Sequence, residues 1–347
     1  MGVDVFDRSE SITLLRRGAP QLSEVEAGRI ALALGDLPLA LAQAGAYMAD
    51  TATSVPDYLS LLAERTTELL AQGVSARYPV SLAASVQIAL DRLAEESPAA
   101  LVLLTLAAYL APEPIPWALF TAHPAQLPDS LAAVAADRLA FAALARVLGQ
   151  HGLARVESAT LMLHRLLAAI LRNQPHQYQE LPTVVVRLLR TAVPGEDPWE
   201  TPLAWPAWRQ LLPHVLVATD PHRTLIGVEH EVAWLVERAA VYLQIQGEHG
   251  PAQPLFERAR DLRRSMLGED HPDTLESASR LALTPWESGQ FERACRLGED
   301  ALARCRRVLG EDHPTPCARS SSSSSRGRRG RRSESGFGVG DEPVIGC

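Results

Sequence analysis

Apolar residues recur at spacings of three and four through most of the sequence, which is the pattern of amphipathic helices. Near the start, Ser23 and Glu26 have the spacing of a capping box ahead of an apolar run that Gly35 ends. Pro38 then falls in the first turn of the next helix, where its missing N–H costs nothing. We therefore predict a helical subdomain over residues 1–78.

The helical pattern continues through a second block, where it is interrupted by a short extended stretch. The last helix of the first subdomain is predicted over residues 54–73. In the second block, helices are predicted over residues 81–94, 97–110, 137–148 and 164–172, and two short strands over residues 152–156 and 159–163. Helices followed by a small hairpin predict a winged-helix-like domain over residues 79–172.

Two further segments differ from these blocks in composition. Residues 173–225 are rich in Pro and Trp, and we expect an irregular packed connector there with one or two short helices. Residues 319–347 contain a serine run followed by an arginine-rich stretch, which predicts a disordered tail.

A repeat lies between these two segments. The six residues Leu-Gly-Glu-Asp-His-Pro occur at 267–272 and again at 309–314, an offset of 42 residues that is typical of stacked helical repeats. The same offset relates further pairs of small, loop or turn residues: Gly247 and Gly289, Ala252 and Ala294, Ala259 and Ala301, Gly268 and Gly310, His271 and His313, and Pro272 and Pro314.

These positions resemble the tetratricopeptide repeat in its longer, kinesin-light-chain-like form, over residues 226–318. The small residues let two antiparallel helices approach closely, and the glycines end helices where the prolines begin the next. The resemblance implies an α-solenoid that binds a protein or peptide partner. Fewer than two and a half units are present where about three are usual, and Pro285 falls inside a predicted helix. We expect a truncated or out-of-frame C-terminus after Pro314.

The composition limits the possible partners and the location. The chain has 347 residues and a net charge of −8, which argues against nucleic-acid binding. Its longest apolar stretch, residues 99–112, is too short to span a membrane, and residues 1–10 are not a signal peptide. We expect a cytoplasmic protein. The cysteine and histidine spacings predict no metal site.

Two short motifs carry a second resemblance. Residues 35–40 read Gly-Asp-Leu-Pro-Leu-Ala, which resembles the GLPLA box of NB-ARC proteins, and Leu163-His164-Arg165 resembles the MHD motif of that family. With the repeats, the order of motifs is similar to the C-terminal part of a bacterial, actinomycete-type NB-ARC/tetratricopeptide-repeat protein, a STAND-class signal-transduction ATPase. The resemblance implies that Pro38 packs against adenine and that His164 reaches the β-phosphate of ADP. The fold implied is mainly α: an ARC-like helical bundle, a winged-helix-like domain and the solenoid.

The sequence has no Lys, and therefore no G-x-x-x-x-G-K-[ST] loop for phosphates. We expect no enzymatic activity, no catalytic residues and no cofactor for this chain alone, with ADP or ATP implied only for the intact family protein. The family's P-loop domain would lie upstream of Met1. The leading hypothesis is a regulatory and sensor portion of a nucleotide switch. The alternatives are a stand-alone repeat adaptor without nucleotide and, less favoured, a winged-helix transcription regulator.

Overall fold

A computed structural model describes residues 5–51, 53–64, 82–151, 153–173, 180–287 and 291–309. The chain divides into two compact units, Met1–Ala192 and Val193–Cys347, and each is described by itself. Helix dominates both units, as the periodicity predicts. The tail predicted over residues 319–347, and the part of the predicted helix beyond Glu64, lie outside the described residues.

The first unit begins with four helices that pack on one another: α1 (Arg8–Gly18), α2 (Glu24–Leu34), α3 (Pro38–Thr51) and α4 (Val55–Glu64). The predicted capping box at the start of α2 is present, because Ser23 accepts from the N–H of Glu26 and the Glu26 side chain accepts from the N–H of Ser23. Gly35 ends α2 in the left-handed conformation, and α3 begins at Pro38. These local predictions are confirmed.

The rest of the first unit is built around one apolar helix. Its helices are α5 (Leu82–Glu96), α6 (Pro98–Ala108), α7 (Ala118–Thr121), α8 (Asp129–Ala136), α9 (Arg138–His151), α10 (Arg165–Arg172) and α11 (Leu181–Ala192). Helix α6 is buried on most of its surface and contacts α5, α8, α9, α10 and α11. Helix α3 contacts α5, which joins the two groups of helices.

A small antiparallel sheet completes this unit, with β1 (Ile115–Pro116), β2 (Arg155–Val156) and β3 (Thr160–Met162) in the order β1-β3-β2. The predicted hairpin is β2–β3, which pairs Arg155 with Met162. Strand β1 was not predicted, because it lies in the proline-rich stretch over residues 112–116. Ile115 pairs with Leu161 and both are fully buried, so tertiary packing outweighs the local turn preference of a proline-rich stretch.

The second unit consists of α12 (Trp205–Ala218), α13 (Glu229–Ile245), α14 (His249–Leu267), α15 (Pro272–Glu287) and α16 (Phe291–Leu309). Helix α14 contacts both α13 and α15, and α15 contacts α16, so the helices stack in sequence order. The connector predicted over residues 173–225 contains two helices, as expected, but α11 and α12 have 12 and 14 residues and are not short. Pro285 lies inside a helix, as predicted, in the last turn of α15; it has no N–H to donate to the carbonyl of residue 281, and the helix ends two residues later at Glu287.

Candidate functional site

The two motifs separated by 129 residues meet in the first unit. The imidazole Nε2 of His164 donates a hydrogen bond to the carbonyl oxygen of Gly35 at 3.1 Å. His164 precedes α10, and Gly35 is the residue that ends α2. The GLPLA-like and MHD-like segments are therefore in direct contact.

The backbone of the first motif is shaped for this contact. Gly35 and Asp36 both have positive φ, +65° and +58°, so the chain turns sharply between α2 and α3. A β-carbon on Gly35 would lie 2.8 Å from Cε1 of His164 and closer still to Nε2. Glycine is thus required at position 35 both by its dihedral angles and by the approach of the ring.

The hydrogen bonds of His164 fix its tautomer. The N–H of Leu166 donates to Nδ1 at 3.2 Å, which leaves the proton on Nε2. Burial lowers the pKa of His164 from its usual value of 6.5, and the positive charge of Arg165 lowers it further. The hydrogen bond to Gly35 and the negative charge of Asp36 raise this pKa, but the net shift is downward. The net result is a neutral imidazole that presents one N–H donor.

Arginine side chains hold both motifs in place. Arg165 donates to the carbonyl oxygen of Leu32 in the last turn of α2. Arg8 donates to Oδ2 of Asp36 at 2.8 Å and to the carbonyl oxygen of Gly28 at 3.0 Å. The end of α2 and the loop that follows it are therefore connected to two separate segments of the unit, one at Arg8 and one at His164 and Arg165.

A cavity of about 760 Å³ adjoins this contact, a size typical of small-molecule sites. Its lining is mainly apolar and includes Gly35 and Leu37 from the first motif and Leu163 and His164 from the second. Arg155 and Arg165 supply positive charge at the lining. Pro38 is half-buried at the start of α3 and is not among the described lining residues, so the structure places His164 at this cavity but not Pro38.

In the second unit, a buried ion pair connects three consecutive helices. Arg263 of α14 donates from both Nη atoms to the carboxylate of Glu237 on α13, each at 2.8 Å. Ser277 of α15 donates to Glu237 at 2.8 Å and accepts from Arg263 at 2.5 Å. All three side chains are at least nine-tenths buried, so every charge has its partners inside the stack.

The repeat-signature residues lie at the helix contacts and helix ends. Ala252, Ala259 and Ala301 are buried, and Gly247 and Gly268 have positive φ at the ends of α13 and α14. Helix α15 begins at Pro272, and Nδ1 of His271 accepts from the N–H of Asp273 at 3.2 Å. Ala294 falls within α16. The signature residues Gly289, Gly310, His313 and Pro314 lie outside the described residues.

One charged cluster in this unit was not predicted from the sequence. Arg238 of α13 and Arg280 of α15 both contact Oδ2 of Asp197, the latter at 2.7 Å. The signal was present in the sequence, because the two arginines are separated by the same 42 residues as the repeated hexapeptide.

Comparison with known proteins matches residues 231–307 to the family model of the tetratricopeptide repeat. These residues cover α13 to α16 almost completely, so the chain contains tetratricopeptide repeats, which generally bind protein partners. No curated protein matches the chain.

The described ranges hold no group of three His, Cys, Asp or Glu side chains placed to bind a metal ion. None of their helices combines the length and apolar character needed to cross a bilayer.

Proposed function

We propose that this chain is the regulatory and sensor portion of an NB-ARC-type nucleotide switch, in which the repeats bind a protein or peptide partner. The observation that carries the proposal is the hydrogen bond between His164 and the Gly35 carbonyl. Two motifs singled out by one family resemblance, far apart in sequence, meet beside one cavity. The three-stranded sheet with α8 and α9 supports a winged-helix-like arrangement of the second motif's domain.

The chemistry of the contact suits a reversible latch. A neutral imidazole with its proton on Nε2 can donate either to the Gly35 carbonyl or to an anionic oxygen brought into the cavity. Arg155 and Arg165 at the lining favour an anion there. If a phosphate-binding domain held ADP at the cavity, His164 would donate to a phosphate oxygen of ADP instead of to the Gly35 carbonyl.

A switch of this kind requires a ligand that binds its two states with different affinity. In the proposal, ADP favours the closed state through His164, and a partner bound to the repeats favours the open state. The printed sequence carries no phosphate-binding loop, so we propose that ADP binding needs a further domain and that this chain alone hydrolyses no ATP.

The test uses the polypeptide expressed from its native locus, with whatever coding sequence precedes residue 1. We expect a P-loop in frame or in an adjoining gene, and we expect His164→Ala to speed ADP release at least tenfold while His123→Ala, in a turn of the same unit, does not. Equal release rates in all three proteins would overturn the switch. Cross-linking of the same protein in a lysate should map its partner to residues 231–307.

The second candidate function, a repeat adaptor that uses no nucleotide, is favoured by the repeat match alone. If the chain is such an adaptor, its repeats should capture the partner equally well with and without added ADP. If the chain is part of a nucleotide switch, ADP should weaken the capture.

A further inference from the structure

The cavity beside His164 is lined by two kinds of side chain. Its described lining is apolar except for the side chains of Arg155, His164 and Arg165, and it includes no acidic side chain. Nδ1 of His164 already accepts from the N–H of Leu166, so the polar side chains of this lining have only donors left to offer. The described lining therefore suits a ligand that combines an apolar body with an anionic acceptor.

The apolar and the basic side chains lie at different depths. Leu163, Leu166 and Ile170 are each at most 4% exposed, whereas the side chain of Arg155 is 73% exposed. Arg165 is exposed as well. The arginines therefore lie on the solvent side of the cavity, and the aliphatic side chains line its interior. This arrangement matches a long apolar molecule with its charged group at one end.

Arg165 has unused donors for such a charged group. A guanidinium carries five N–H groups, and the described contacts of Arg165 use one nitrogen, Nη2, which donates to the carbonyl oxygen of Leu32. Nε of Arg165 lies 3.2 Å from the position of a β-carbon on Gly35, and the His164 ring lies closer still, so these two side chains converge. A carboxylate presents two acceptor oxygens in one plane, which match the fork of a guanidinium.

The second arginine at the lining is available too. Nε of Arg155 pairs with Glu157 at 3.0 Å, but both side chains are largely exposed, so this ion pair is weak and easily exchanged. The described lining holds no aromatic ring other than the imidazole of His164. A flat ring system would find little to stack on there, whereas Leu, Val and Ile side chains suit a flexible aliphatic chain.

We propose that this cavity binds an aliphatic monocarboxylic acid, such as a medium-chain fatty acid. The carboxylate pairs with the guanidinium of Arg165 at the solvent side, and the chain lies among the apolar side chains of the interior. The inference goes beyond the proposed function, because it requires neither a nucleotide nor a partner on the repeats.

The two parts of the ligand should make separate contributions to the affinity. Burial of each further methylene should tighten binding about threefold until the cavity is filled. The charge-assisted hydrogen bonds to Arg165 should tighten it at least about tenfold over a ligand that has the same chain and no charge.

The probe is octanoate, titrated into the full chain at neutral pH and followed by calorimetry below the concentration at which micelles form. Octanoate should bind at one site per chain. Decanoate should bind about tenfold more tightly and hexanoate about tenfold more weakly, because they differ from octanoate by two methylenes. The neutral analogue 1-octanol should bind at least about tenfold more weakly than octanoate.

Arg165→Gln should weaken octanoate binding at least about tenfold and leave octanol binding unchanged, because octanol reports on the apolar interior alone. Arg138→Gln is the matched control, since it removes an exposed arginine of α9 that is not among the described lining residues. It should change neither affinity. Val86→Phe fills part of the cavity and should weaken both ligands, whereas Ile88→Phe, at a half-exposed position of the same helix, should weaken neither.

Equal affinity of the unmodified chain for octanoate and octanol would overturn the proposal, and so would octanoate binding that does not saturate at one site. This comparison of ligands alters no residue, so it remains decisive if a variant unfolds. Equal loss of octanoate binding in the Arg165→Gln and Arg138→Gln chains would show that the acid binds elsewhere. ADP plays no part in these titrations, so a negative result would overturn the acid site and leave the proposed nucleotide switch standing.

Discussion

The imidazole of His164 occupies the space that a β-carbon on Gly35 would fill. His164 can donate its hydrogen bond to the Gly35 carbonyl only because Gly35 has no side chain. The contact joins the end of α2 to the start of α10. Substitution at either position should therefore affect the same contact.

Gly35→Ala should destabilise the first unit by about 2 kcal/mol or more. Alanine at φ +65° is strained, and its β-carbon displaces the His164 ring. Gly28→Ala is the control on the same helix, since its β-carbon meets only Ile12 Cδ1 at 3.8 Å, and it should gain up to about 1 kcal/mol. Urea unfolding with hydrogen exchange of α2 and α10 measures both. Similar effects of the two substitutions would contradict the contact.

The stability of the first unit should depend on the protonation of His164. Its pKa is lowered from 6.5 in the folded state, so below that value the unfolded chain takes up a proton first. The stabilisation is present above about pH 6.5 and is lost as the pH falls through the lowered pKa. Unfolding free energies between pH 5 and 8 should fall more steeply on acidification for the unmodified chain than for His164→Gln. Parallel curves for the two proteins would show that His164 does not titrate in this way.

The ion pair Glu237–Arg263 should show strong coupling. Arg263→Met alone leaves a buried carboxylate without its partner and should cost about 3–5 kcal/mol. Combining it with Glu237→Leu removes both charges and should recover much of that loss. A double-mutant cycle on the thermal unfolding of the repeats measures the coupling, and simple additivity of the two single effects would rule it out.

Trp208 should anchor α12 to the repeats. Its ring is fully buried and stacks on Tyr242 of α13, with ring centroids 6.1 Å apart. Trp208→Ala should cost about 3–5 kcal/mol of stability in the second unit. Trp208→Phe keeps an aromatic ring there and should cost much less. If denaturant unfolding gives equal losses for Ala and Phe, the ring contact is not what holds α12.

The local signals in the sequence were sufficient for most helix boundaries. The capping residues Ser23 and Ser97, and the turn residues Gly35 and Gly268, act on neighbouring backbone groups, so a single sequence reveals them. The repeats were visible for a similar reason, because a fixed offset of 42 residues is itself a sequence property.

The features that sequence analysis missed depend on contacts between distant segments. Ile115 becomes a strand residue only because Leu161 pairs with it, and Asp197 becomes part of a cluster only because α13 and α15 stack beside it. The tryptophans and prolines of residues 173–225 predicted only short helices, whereas α12 has 14 residues. Its burial of Trp208 and Leu211 outweighs the proline at position 213.

We propose that His164 and the Gly35 loop form the latch of a nucleotide switch. The rate of ADP release tests this proposal, measured on the protein expressed from its native locus in its unmodified and His164→Ala forms. Release should be at least tenfold faster from His164→Ala, and His123→Ala should retain the unmodified rate. If the protein binds no ADP, or releases it at the same rate with and without the His164 imidazole, then His164 is not the latch.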